Sequence, residues 1–247
     1  KINENTPSGT KLINAGSGTL NNETVETPTP SVDTFKQDAD KHWTEGDQNV
    51  DGKVYVSGDE AQADVSMTLP NPSTLAKALT KVEVVDDYSK FADKVSFKSA
   101  TVYENGKNVT DQYTITNADG KVTATRKDAS KAPQGTVDLH VAWTINSDVA
   151  NGTELFNNGS GTINSETVTT PTRTVKTFKQ DTDKHWVEGS QVVDGKTFIN
   201  GDAVNAEISS NLPDPSTLVK KLTGIKITDD YTNFMSHVEV ESVKVKD

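Results

Sequence analysis

The chain has 247 residues, a net charge of −11, 32% apolar and 6% aromatic residues, and no cysteine. The acidic balance excludes a nucleic-acid partner, whose phosphates demand Lys and Arg patches, and argues equally against an anionic membrane surface. The missing cysteine excludes disulfides, thiolate catalysis and cysteine-based zinc sites, and no apolar run is long enough for membrane insertion.

Taken in chain order, the first elements end in a Thr/Pro-rich stretch, residues 25–31. Such a segment is stiff and extended and cannot serve a central strand. Short strands with β-branched residues at or near period two follow at 53–57, 63–69 and 81–85. Asn71 ahead of Pro72 is a helix start, and the pattern predicts a short helix over 72–79. A second helical turn is expected over 88–94. Residues 113–126 read as one hairpin around Asp119-Gly120, and 137–143 alternate as a half-buried strand. Asp51-Gly52, Asn105-Gly106 and Asn158-Gly159 are further turn signals, each supplying a residue tolerant of positive φ.

An ungapped internal repeat organises these elements. Residues 1–104 have counterparts at 144–247, an offset of 143 throughout: Trp43 pairs with Trp186 (186 − 43) and Asp51 with Asp194 (194 − 51). The block from Phe35 to Trp43 returns from Phe178 to Trp186 with one change, Ala39 to Thr182. A 143-residue unit is a whole domain, much longer than solenoid repeats of about 20–50 residues. The expected organisation is the C-terminal strands of a preceding repeat at 1–28, a complete repeat at 29–171, and the N-terminal half of the next at 172–247. The expected fold is all-β: tandem Ig-like antiparallel β-sandwich domains with short side helices.

Nothing here has the spacing of a nucleophilic catalyst or a phosphate loop, so the chain is not expected to be an enzyme. Asp38, Asp40 and Asp47 lie in an acidic stretch that leaves calcium open, although its spacing is not that of an EF-hand and a solvated loop explains it more simply. No cofactor is otherwise indicated. His42-Trp43, close after the Thr/Pro segment, suggests an amphipathic ring sealing a contact with the preceding unit. Asp86 and Asp87 precede Tyr88; neighbours on a strand face opposite ways, so they make a poor acid/base pair. One of them can cap the following turn, and the functional alternatives are a proton shuttle or a calcium ligand.

The motif order resembles the C-terminal repeat domains of Gram-positive cell-wall adhesins of the antigen I/II and aggregation-substance group. It is carried by Phe35-Lys36, Asn49-Val-Asp-Gly-Lys53, Gly58, Val85-Asp-Asp-Tyr88 and the closing Thr162-Ile-Asn-Ser-Glu-Thr-Val-Thr-Thr-Pro171. The resemblance implies an exported, cell-wall-anchored, extracellular protein built on an Ig-related sandwich. It also implies an internal isopeptide bond from a first-strand lysine to a last-strand asparagine, assisted by an aspartate. Lys36, and Lys179 one repeat later, match the lysine position. Glu166 stands where the family has asparagine, as does Glu23 in the earlier copy. A Lys36–Glu166 crosslink formed by loss of water is therefore one expectation; a salt bridge, or two solvent-facing side chains, is the other. The implied role is a repeated adhesin stalk that contacts neighbouring repeats and projects a region binding a host or bacterial surface ligand. The alternative is a repeat that itself binds a host protein or glycan.

Overall fold

The computed structural model describes residues 1–246. Four short strands come first: β1 (Lys11–Ile13), β2 (Ser17–Leu20), β3 (Glu23–Glu26) and β4 (Ser31–Asp33). The central unit begins with β5 (Ala39–Glu45), β6 (Gln48–Asn49), β7 (Val54–Val56), β8 (Glu60–Leu69) and β9 (Val82–Asp87). It continues through β10 (Val95–Glu104), β11 (Lys107–Asn108), β12 (Tyr113–Ala118), β13 (Lys121–Arg126) and β14 (Gly135–Ile145). It closes with β15 (Glu154–Ile163), β16 (Glu166–Thr169) and β17 (Arg173–Phe178). Three strands follow: β18 (Thr182–Glu188), β19 (Gln191–Val192) and β20 (Asn205–Ser210).

The central unit is an all-β sandwich. One sheet runs β11-β10-β14-β8-β5-β6 and the other β12-β13-β9-β15-β17-β7, with β16 added to β15. All of its strand pairs are antiparallel except β17 with β7. Period-two patterning puts Ala61, Ala63, Val65, Met67 and Leu69 of β8 inward, and Val137, Leu139, Val141, Trp143 and Ile145 of β14 beside them. The hairpin turns form as the Asn-Gly and Asp-Gly signals require, with positive φ at Asn105, Gly106, Asp119 and Gly120.

Four expectations change. Asn158-Gly159 is no turn but the middle of β15; a Cβ on Gly159 would stand 2.5 Å from the Val85 carbonyl oxygen and 2.8 Å from Val65. The glycine is there for close backbone approach. The helix expected over 72–79 is a single 3-10 turn, Pro72–Thr74, capped as anticipated by the Asn71 side chain accepting from the Ser73 N–H; Leu75 at ψ 133° already leaves it. Trp43 does not seal a junction. It occupies the inward phase of β5 and is fully buried, its ring 5.8 Å from Trp143, 5.6 Å from Phe91 and 6.5 Å from Tyr55. Finally, the sandwich runs past Pro171: β17 pairs with both β15 and β7, so the Thr/Pro segment is a crossing inside the unit, and the closing strand ends at Phe178.

The repeat extends to strand register. Lys11 opposite Asp33 is Glu154 opposite Lys176 shifted by 143 (154 − 11 and 176 − 33). Trp186 opposite Ala206 likewise matches Trp43 opposite Ala63 (186 − 43 and 206 − 63).

Candidate crosslinking site between the two sheets

Three strands each place one polar side chain in a phase that is otherwise apolar. In β5 the inward positions are Ala39, Lys41 and Trp43; in β9 they are Val82, Val84 and Asp86; in β15, Leu155, Asn157 and Gly159. Lys41 comes from one sheet, Asp86 and Asn157 from the other. All three are buried, Lys41 at 1% exposure and the other two at 0%. Burying a lysine with a carboxylate costs several kcal/mol per ion unless geometry and hydrogen bonds compensate.

Lys41 Nζ donates to Asp86 Oδ2 at 2.5 Å, and Asn157 Nδ2 approaches the same oxygen at 3.4 Å. Asp86 Oδ1 and Asn157 Oδ1 are both buried without a hydrogen-bond partner. Such orphaned oxygens are rare in folded proteins. Burial pushes the Asp86 carboxyl above its usual range, opposed by the charge and hydrogen bond of Lys41 and by the hydrogen bond of Asn157. An amine, a carboxyl group inclined to hold a proton, and a carboxamide thus meet in a dry pocket. An aromatic cluster lies in the same core, with Tyr88 and Trp143 at 5.5 Å and Phe91 and Trp143 at 5.8 Å.

The two adjacent aspartates separate as strand alternation demands. Asp86 faces the core, while Asp87 lies one residue ahead of the N-cap Tyr88 and accepts from the Ser89 N–H at 3.1 Å and the Ser89 hydroxyl at 2.6 Å. These bonds fix the entry to the turn Ser89–Lys94 without a side-chain cap at Tyr88. Asp87 is held below the ordinary carboxylate range; burial raises it, and the Ser89 hydrogen bonds and Lys121 outweigh that.

The side chains expected to crosslink are elsewhere. Lys36, Glu166 and Lys179 are all exposed, Glu166 lying opposite Ile163 in the outer β15–β16 hairpin. Lys36 lies in solvent, so it lacks the buried, apolar surroundings that the chemistry needs. The acidic stretch serves structure instead. Asp40 accepts from Arg173 at 3.2 Å, Asp51 accepts from the Trp43 N–H at 2.8 Å, and Asp38 caps the Ala39 N–H at 3.1 Å. Asp47 is exposed in the β5–β6 turn. Among the described residues no group of three or more His, Asp or Glu side chains is placed to hold a metal ion.

The trio was legible in principle. Each member is a polar residue at an apolar phase of an alternating strand. Each also recurs at the repeat offset: Lys184 for Lys41 (184 − 41 = 143), Asp229 for Asp86 (229 − 86 = 143), and Asn14 for Asn157 (157 − 14 = 143). Lys184 Nζ again lies 2.5 Å from Asp229 Oδ1, here partly exposed.

A family model described as the cell surface antigen I/II C2 terminal domain matches residues 35–177. That span coincides with the sandwich as its strands define it. Among solved structures, the C-terminal domain of the Streptococcus agalactiae antigen I/II polypeptide BspA superposes with a TM-score of 0.58 at 12% identity, covering 68% of this chain and 59% of that one. The C-terminal domain of the Streptococcus pyogenes antigen I/II-family protein AspA gives 0.58 at 12% identity, with 68% and 55% covered. The Bacillus cereus major pilin subunit BcpA gives 0.54 at 15% identity, with 81% and 64% covered. The chain therefore spans less than two thirds of these structures, and identities so low establish a shared fold. No curated protein matches the chain in sequence.

Proposed function

On the premise that this chain belongs to the cell surface antigen I/II C2 terminal domain family, we propose that it is a repeated stalk segment of a cell-wall-anchored adhesin. Each repeat is stapled internally by an isopeptide bond, here Lys41 to Asn157. The observation that carries this reading is the buried meeting of Lys41, Asp86 and Asn157 from opposite sheets.

The chemistry follows from the positions. Asp86 takes a proton from the Lys41 ammonium, freeing the Nζ lone pair. Nζ attacks Cγ of Asn157, and the carbonyl π pair moves onto Oδ1. As the carbonyl re-forms, the Cγ–Nδ2 bond breaks, and the proton held by Asp86 goes to Nδ2, which leaves as ammonia. The second amine proton passes to Asp86 once the first has departed with Nδ2, so the carboxyl group ends protonated and the amide nitrogen keeps one hydrogen. The product is one amide bond joining β5 to β15 across the core, with Asp86 free to hydrogen-bond it. This is a single self-modifying event without turnover.

A cysteine-free stalk gains in this way a covalent tie between its sheets that no reducing agent opens. The two ends joined are 116 residues apart (157 − 41), and most of the sandwich lies inside the closed loop. The test is the intact mass of the chain under denaturing conditions. A deficit of about 17 Da, abolished by Lys41→Ala or Asn157→Ala, supports the crosslink. A mass equal to that of the sequence refutes it, and a deficit of about 18 Da mapped to Lys36 and Glu166 places it where the motif order first suggested.

A further inference from the structure

The edge of the β7 strand is covered, and what covers it belongs to the next repeat. On one side β7 pairs with β17. On the other, the Val54 N–H donates to the Thr217 carbonyl at 2.9 Å and the Val219 N–H donates to the Val54 carbonyl at 2.9 Å, forming a parallel bridge between Val54 and Leu218. Leu218 is buried at 7% exposure, although most residues around it in the chain are not. Lys220 clamps the contact, its Nζ donating to the Glu60 carbonyl at 2.9 Å and lying 3.9 Å from Glu45.

An unpaired strand edge is a template for pairing, and an extended segment that adds to it gains main-chain hydrogen bonds. Each repeat carries both halves of this contact. Shifted back by 143, the donor 217–220 becomes Thr74, Leu75, Ala76 and Lys77 (217 − 74 = 143). In the central unit three of these four are exposed and Leu75 is partly buried. Shifted forward, the acceptor 54–56 becomes Thr197, Phe198 and Ile199 (197 − 54 = 143), and Ile199 is 79% exposed. Donor and acceptor lie on different parts of one repeat, so the contact is head-to-tail and can propagate.

We infer that consecutive repeats lock by strand addition: the segment after the Pro72–Thr74 turn, or its counterpart 217–220, docks on the β7-type edge of the preceding repeat. The occupant of the surface around Thr74, Ala76 and Lys77 is thus the preceding repeat of the same array. The lock adds a second connection beside the covalent one through β17 and holds neighbouring units at a defined angle. It rests on the reading of the chain as consecutive stalk repeats, but not on the crosslink, since none of its bonds involves Lys41, Asp86 or Asn157.

Amide hydrogen exchange on the whole chain tests it. The Val54 and Val219 amides are expected to exchange slowly, and Leu218→Asp to accelerate both by at least about tenfold while core amides such as Val84 stay protected. Lys220→Glu, which turns the clamp into a repulsion with Glu45 and cannot unfold the sandwich, is expected to accelerate the same two amides more weakly. Unprotected Val54 and Val219 amides in the unaltered chain overturn the lock. So does protection indifferent to both substitutions. The deficit of about 17 Da relative to each variant's own sequence mass is expected to persist in every variant, so failure of the lock and failure of the crosslink read out separately.

Discussion

Lys41 Nζ and Asp86 Oδ2 stand 2.5 Å apart at the centre of the sandwich, each side chain wholly shielded from solvent and each contributed by a different sheet. Neither has the dense hydrogen-bonding that a permanently buried charge requires, because Asp86 Oδ1 has no partner. The pair makes physical sense as reactants more readily than as a salt bridge.

Removing one partner separates these roles. Asp86→Ala leaves Lys41 buried and uncompensated, and the stability loss expected for breaking such a pair is about 3–5 kcal/mol. The crosslink should also fail, so the variant keeps the full mass of its sequence. Replacing both ends with apolar residues, Lys41→Met with Asp86→Leu, should recover much of the stability without recovering the mass deficit. Chemical denaturation and intact mass on the same samples check both halves. A crosslinked Asp86→Ala protein would show that the carboxyl group is dispensable.

The glycines of β15 are expected to differ in their tolerance of a methyl group. Gly159→Ala drives a Cβ against the Val85 carbonyl oxygen and Val65, backbone and a stiff side chain, and should cost about 1–3 kcal/mol. Gly161→Ala meets the Met67 side chain, with Sδ at 2.6 Å and Cβ at 2.9 Å; the thioether can swing aside, while the Cβ contact needs a small backbone shift. Thermal melts should therefore place both variants below the unaltered chain, with Gly159→Ala the lower of the two.

Trp43→Ala should be severe. Its ring is fully buried among Trp143, Phe91 and Tyr55, and the loss expected for emptying such a site is about 3–5 kcal/mol. Had Trp43 been a junction residue, the melt would barely move and only inter-repeat contacts would loosen. The denaturation midpoint decides between the two.

The pH response of His140 has a definite sign. Asp64 Oδ1 lies 3.0 Å from its Nδ1, and that neighbouring carboxylate raises the imidazole pKa, with burial opposing. A raised folded-state pKa gives stability that is fully present below the unfolded value near 6.5 and lost as pH rises through the folded value. The ring is almost half exposed, so the effect should stay below about 1 kcal/mol. Comparing denaturation at acidic and alkaline pH for the unaltered chain and His140→Gln should show this increment vanish in the variant.

What the amino-acid order determined by itself was periodic and local. Alternation in β8 and β14, the Asn-Gly and Asp-Gly turns, the Asn71 cap and the 143-residue offset are all relations between near neighbours or between copies, and they are visible without coordinates. The family resemblance came from the same source. Tertiary structure decided which residues of distant strands share one pocket. Lys36 and Lys41 are only five residues apart and carry the same amine, yet the pleat and sandwich turn Lys41 to the core and leave Lys36 in solvent. Glu166 sits in the closing motif, but on the exposed strand β16 paired to β15, whereas Asn157 faces inward from β15, next to the Asn158-Gly159 pair that by sequence alone signals a turn. Burial is a property of packed layers: it tells two lysines apart through the solvent each one loses.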